Sequence, residues 1–173
     1  MFELRPFSPI KCDLCLRAEV KHEEGQLNIR FTVSGEIDQI LFPSQSPNPS
    51  RRDELWKKTC FEVFFGPRGR VNYWELNFSP SGDWNCYSFD DYRAGMKAEN
   101  RILVQPIRFS EKTDRIEMET SVDISDLIES GSALEQSSNA VIESDRGELS
   151  YWAIRHAGTQ PDFHLRESFV PLT

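Results

Sequence analysis

The sequence predicts an all-β fold, an antiparallel β-sandwich with one short helix, and three observations carry that prediction. Short runs in which apolar and polar residues alternate recur along the chain, with turn signals roughly every 8–12 residues. Ten Pro, nine Gly and a 12% aromatic fraction suit strands and tight turns better than a helical bundle. Only one stretch, residues 123–128, reads as a helix, and it spans about two turns. At 173 residues the chain is long enough to bury a sizeable core, and one domain over residues 1–173 is expected.

Taken in order, residues 1–11 form an extended, Pro-interrupted lead-in. Residues 14–21 and 27–33 read as a hairpin, because Leu27, Ile29, Phe31 and Val33 alternate with Asn28, Arg30 and Thr32. Residues 37–42 are a shorter apolar run, and residues 43–53 (PSQSPNPSRRD) a polar surface loop. Strands are expected at 59–65, 72–79 and 84–89, joined by turns at 66–69 and 80–83. Residues 102–109 and 115–122 follow as strands; residues 131–139 read as polar loop, and 140–143 and 149–156 as further strands. The tail ends in an apolar run able to close a sheet edge.

The three-stranded unit within residues 55–96 organises the functional reading. Alternation places Phe61, Val63 and Phe65 on one face with Trp74, Leu76 and Phe78, and Glu62 and Phe64 on the other with Tyr73, Glu75 and Asn77. Pairing Phe65 with Asn72 sets Glu62 opposite Glu75; a two-residue slip would preserve the faces. Pairing Ser79 with Trp84 would send Tyr87 and Phe89 to the core and bring Trp84 and Cys86 to the carboxylate face. Opposed like charges destabilise a sheet, so the two acids need a partner. An Arg such as Arg93 or Arg155, a polyhydroxylated ligand stacked on an aromatic ring, or a catalytic pair at glycosidase-like spacing would each supply a reason for them.

Several classes are disfavoured. A net charge of −8 offers no basic surface for nucleic acid and no attraction to anionic membranes. No segment has the ~18 consecutive apolar residues of a membrane span. The N-terminus lacks a secretory pattern, so a cytoplasmic location with reduced cysteines is expected. Cys12 and Cys15 form a lone C-x-x-C, and Cys60 and Cys86 supply no second pair at zinc spacing. Asp90-Asp91 lacks the spacing of a calcium loop, so no metal or other cofactor is expected. Nucleotide-loop and nucleophile-elbow motifs are also absent.

The run LWKKTCFEVFFGPRGRVNYWELNFSPSGDW resembles the signature of the DOMON-like superfamily, in particular its family 9 carbohydrate-binding modules. The matching features are Trp56, the strand Phe61-Glu62-Val63-Phe64, and Tyr73-Trp74-Glu75-Leu76-Asn77-Phe78-Ser79-Pro80-Ser81-Gly82. The resemblance covers about a third of the chain closely and implies a jelly-roll sandwich that binds sugar through stacked Trp side chains and polar contacts. By position it implies Trp56 as a stacking residue and Glu62, Glu75 and Asn77 as polar contacts. Trp152 is a possible second wall and equally a core residue; Arg93 would lock the acidic pair or meet the ligand. A non-catalytic module for a small carbohydrate is the preferred reading. The alternatives are a haem-b electron-transfer domain using Met96 with His156 or His164, a small glycoside hydrolase using Glu62 and Glu75, and a protein-interaction module.

Overall fold

A computed structural model describes residues 1–129 and 131–172. In chain order the strands are β1 (Phe2–Pro6), β2 (Leu14–Glu23), β3 (Gln26–Gly35), β4 (Cys60–Pro67), β5 (Tyr73–Phe78), β6 (Trp84–Phe89), β7 (Lys97–Ala98), β8 (Leu103–Val104), β9 (Arg108–Glu111), β10 (Arg115–Asp123), β11 (Leu134–Glu143), β12 (Leu149–Ala153) and β13 (Val170–Pro171). Two antiparallel sheets result. The first runs β1-β2-β3-β10 with β8 and β9 beyond; the second runs β7-β6-β5-β4-β11-β12. Strand β1 belongs to both: Phe2 to Leu4 pair with β2, and Arg5 and Pro6 pair with β12.

The inward faces follow the alternation in the sequence. Leu27, Ile29, Phe31 and Val33 of β3 meet Phe61, Val63 and Phe65 of β4 across the sandwich, with the Phe31 and Phe61 rings 5.1 Å apart. The β2–β3 hairpin closes tightly on Glu24-Gly25, both at positive φ, as a two-residue turn requires if its twist is to match the strands.

Four expectations are corrected. First, β4 pairs with β5 two residues from the expected register, Phe65 facing Trp74, because the connection after Pro67 takes five residues; the faces survive the slip. Second, β6 is displaced by one residue, Phe78 facing Trp84. Five residues connect β5 to β6, with Gly82 at φ +91° and Ser79 donating its N–H to the Asp83 carbonyl. That odd count inverts the parity: Trp84 and Cys86 pack in the inter-sheet core, while Tyr87 and Phe89 join Phe64 and Tyr73 outside it.

Third, residues 134–139 are strand, not loop. Gln136, Ser137, Ser138 and Asn139 are buried in the middle of the second sheet, and their side chains satisfy one another: Ser138 donates to Gln136 at 2.8 Å and Ser137 to Asn139 at 3.0 Å. Fourth, residues 123–128 form a turn and no α-helix. Leu127 and Ile128 both donate to the Ile124 carbonyl, and the segment is too short to offset helix nucleation. The described helices are three one-turn 3-10 segments.

Strands β4 and β5 are buried on both faces. Beneath them lies the inter-sheet core; above them sits a second apolar cluster of Phe64, Tyr73, Tyr87, Phe89, Val141, Ala153, Phe163 and Phe169. Residues 154–169, which have little regular structure, supply part of that cover.

Candidate functional site

The outer face of the second sheet carries a pocket of about 300 Å³. Glu62, Phe64, Glu75, Phe89, Val141 and Tyr151 come from the strands, Trp56, Arg93 and Met96 from the loops beside them, and Pro161, Phe163 and His164 from the C-terminal segment. Trp56 sits in the turn Leu55–Lys57, half-buried, its ring edge-on to Tyr87 at 5.9 Å. The turn is entered through Glu54 in the left-handed region, φ +62°, and Arg93 on another rim loop has φ +50°. Non-glycine residues adopt that conformation infrequently, and such positions cluster at binding sites.

Glu62 is 3% exposed, and among the described residues its Oε1 has no hydrogen-bond partner. Burial, and secondarily the charge of Glu75, hold its carboxyl well above the usual carboxylate range. Glu75, 5% exposed, is raised by burial to about 7, against a hydrogen bond from Asn77 and the nearby charge of Arg93. Asn77 Nδ2 donates to Glu75 Oε1 at 2.7 Å. In the observed register Glu62 faces Asn77 and Glu75 faces Phe64, so the two acids are diagonal neighbours. Diagonal backbone positions lie about 7–8 Å apart, which removes the directly opposed geometry expected of a retaining glycosidase pair.

His164 is brought into the site from far along the chain. Its backbone N–H donates to Asp162 Oδ1 at 3.0 Å, and its ring packs edge-on against Phe64 and Phe89 at 5.0 and 5.1 Å. The Tyr73 hydroxyl accepts from the Arg93 backbone N–H and bonds His164 Nδ1 at 2.8 Å. The other ring nitrogen, Nε2, lies 3.9 Å from Glu75 Oε2. Burial, and then Arg93, push His164 down to about 4, so the ring is neutral at pH 7. Asp162 ties the C-terminal segment to the rim, accepting from Tyr92 Oη at 2.5 Å and the Arg93 guanidinium at 3.0 Å.

These groups titrate with opposite signs. The raised Glu75 contributes stability that is complete below its ordinary pKa of 4.5 and lost as pH rises through about 7. The depressed His164 acts in reverse, costing stability as pH falls from about 6.5 towards 4. A difference measurement separates them. Glu75→Gln is expected to match the parent near pH 4.5 and to exceed it by up to roughly 3 kcal/mol above pH 7. Urea denaturation across that range checks this, and a constant offset would contradict it.

The expected site residues divide accordingly. Trp56, Glu62, Glu75 and Arg93 line one pocket. Among the described residues Arg93 pairs with Asp162 and not with the two acids, and Arg155 reaches the Glu167 carbonyl. Asn77 is fully buried beneath Glu75 and positions it without lining the pocket. Trp152 is 2% exposed and belongs to the inter-sheet core, its Nε1 donating to Ser150. Its neighbour Tyr151 has the opposite parity and forms the wall in its place.

Tyr151, Phe163, Phe89 and His164 were not legible as pocket residues from sequence. Phe89 required the loop parity, and the 161–164 segment carries no periodicity that announces where it docks. The residues do not fit the haem alternative. His156 bonds the Arg5 carbonyl outside the pocket, and both nitrogens of His164 face protein groups. Among the described residues no group of three or more His, Cys, Asp and Glu could hold a metal ion.

A larger groove, about 490 Å³, lies on the first sheet beside Glu19, Arg30 and Glu119. Most of its charges pair with one another, Arg30 with Glu119 at 2.6 Å and Lys21 with Glu19 at 3.2 Å, and its described lining contains no aromatic residue.

By sequence, no protein-family model and no curated protein matches the chain. Among solved structures it is similar to a Bacteroides uniformis protein described provisionally as carbohydrate-binding, with TM-score 0.62, 15% identity, and 99% of this chain and 85% of that one covered. It is also similar to a family 9 carbohydrate-binding module from Caldicellulosiruptor kristjanssonii in complex with cellotriose, with TM-score 0.51, 10% identity, and 88% and 70% covered. The chain has the β-sandwich fold of these modules. At such identities the likeness is one of fold, so the pocket must be judged on its own side chains.

Proposed function

We propose that this chain is a non-catalytic carbohydrate-binding module whose site is the pocket between Trp56 and Tyr151. The observation that carries the reading is Glu62: a buried carboxyl oxygen with no partner among the described residues, at a pocket lined by aromatic rings. An orphaned buried polar atom costs about 1–3 kcal/mol, and a ligand hydroxyl would remove that cost. A sugar matches the arrangement on both counts. Its hydroxyls both donate and accept, which suits a carboxyl in either protonation state, and the apolar face of its ring stacks on an aromatic side chain.

The likeness in fold to a module that binds cellotriose supports the same reading. A volume of about 300 Å³ accommodates one or two sugar rings, not a long glycan groove. Affinity is expected to be weak, because desolvation of polar groups offsets much of the stacking gain. Titration with glucose and cellobiose, followed by tryptophan fluorescence, tests this. Saturable change that reports on Trp56 is the expected result, and a flat response to both sugars would contradict it.

A further inference from the structure

Resting on the reading of this pocket as a carbohydrate site, we infer that its preferred ligand is a sugar bearing a free amino group, held as an ammonium ion against Glu62 and Glu75. The two carboxyls share one pocket, and among the described residues neither forms an ion pair with a Lys or Arg. Among the described residues the sole basic group within salt-bridge reach of either is His164, 3.9 Å from Glu75, and burial and then the charge of Arg93 keep its ring neutral.

Every other ionisable group facing the pair is neutral, acidic or already engaged. From β4, Cys60 is a buried thiol; from β5, Tyr73 bonds His164; from β6, the Tyr87 hydroxyl donates to Asp53 at 2.7 Å. From β12, Tyr151 lines the wall. From the rim, Arg93 is bonded to Asp162. With His164 neutral and Arg93 bonded to Asp162, a cation entering the pocket would meet two carboxyls able to ionise against it and aromatic rings whose quadrupoles favour positive charge.

A neutral sugar would satisfy Glu62 Oε1 but leave the acids uncompensated whenever they ionise. An ammonium group does both. As it binds, a carboxyl of the pair gives its proton to solvent, so the positive charge that enters is matched by a positive charge that leaves. Burial raises both acids, Glu75 to about 7, so a proton is available for release as the ammonium enters.

Isothermal titration of the full chain near neutral pH with glucosamine, glucose and N-acetylglucosamine, in two buffers of different ionisation enthalpy, tests the inference. Glucosamine is expected to bind about tenfold or more tightly than the other two and to release up to about one proton, with the preference lost in Glu75→Gln and in Glu62→Gln. Should Glu62→Gln fail to fold, Glu75→Gln and the three-sugar comparison on the parent chain still decide. Equal affinities for the three sugars, abolished by Trp56→Ala, would overturn the ammonium inference and leave the carbohydrate reading standing. Failure of all three to bind would overturn both.

Discussion

Trp56→Ala is expected to weaken sugar binding about five- to thirtyfold, towards the limit of detection for a ligand that already binds weakly, while the fold persists. Stacking of one sugar face on an indole accounts for on the order of 1–2 kcal/mol, and each 1.4 kcal/mol is a tenfold change in affinity. Trp56 is half-buried on a one-turn segment and touches Tyr87 by its edge. Its removal therefore opens a pocket wall without creating an enclosed cavity, and the stability loss is expected to stay under about 2 kcal/mol. Binding followed by calorimetry, with urea unfolding of the same sample, checks both halves. A variant that keeps its affinity would remove Trp56 from the site.

Trp152→Ala is expected to do the reverse. That side chain is almost fully enclosed between the sheets with Phe61, Ala140 and the remainder of the core. Deleting it leaves a cavity and should cost about 3–5 kcal/mol, a fall of roughly 10 °C in Tm for a chain of this length. Molecules that remain folded should bind sugar almost normally, because the pocket wall at this point is Tyr151. Thermal unfolding monitored by circular dichroism, with binding measured well below the transition, separates the outcomes. Loss of binding at unchanged Tm would mean that Trp152 reaches the ligand.

The contrast between these two tryptophans shows what the sequence discloses and where it stops. Alternation in β4 and β5 is clean, so Glu62, Phe64, Tyr73 and Glu75 could be assigned to a common face before any coordinates, and the two-residue register shift did not disturb them. Parity across a turn is harder to read. The five residues from Ser79 to Asp83 rotate β6 by one position and exchange Trp84 and Cys86 for Tyr87 and Phe89. The same ambiguity hid Tyr151 behind Trp152.

Polar content misled in a different way. The run Gln136-Ser137-Ser138-Asn139 has the composition of a loop, yet forms the centre of a sheet because each side chain finds a partner two residues along its own strand. Nothing in local pattern foretells His164. Its place depends on Asp162 clamping an irregular segment onto Tyr92 and Arg93, a tertiary contact some 70 residues away in sequence.

A crystal structure of the chain soaked with glucose and, separately, with glucosamine tests the central claim most directly. The expected density is a single sugar ring between Trp56 and Tyr151, with a hydroxyl or amino group within hydrogen-bonding distance of Glu62 Oε1. Sugar density on the first sheet beside Arg30 and Glu119, with this pocket holding only solvent, would contradict it.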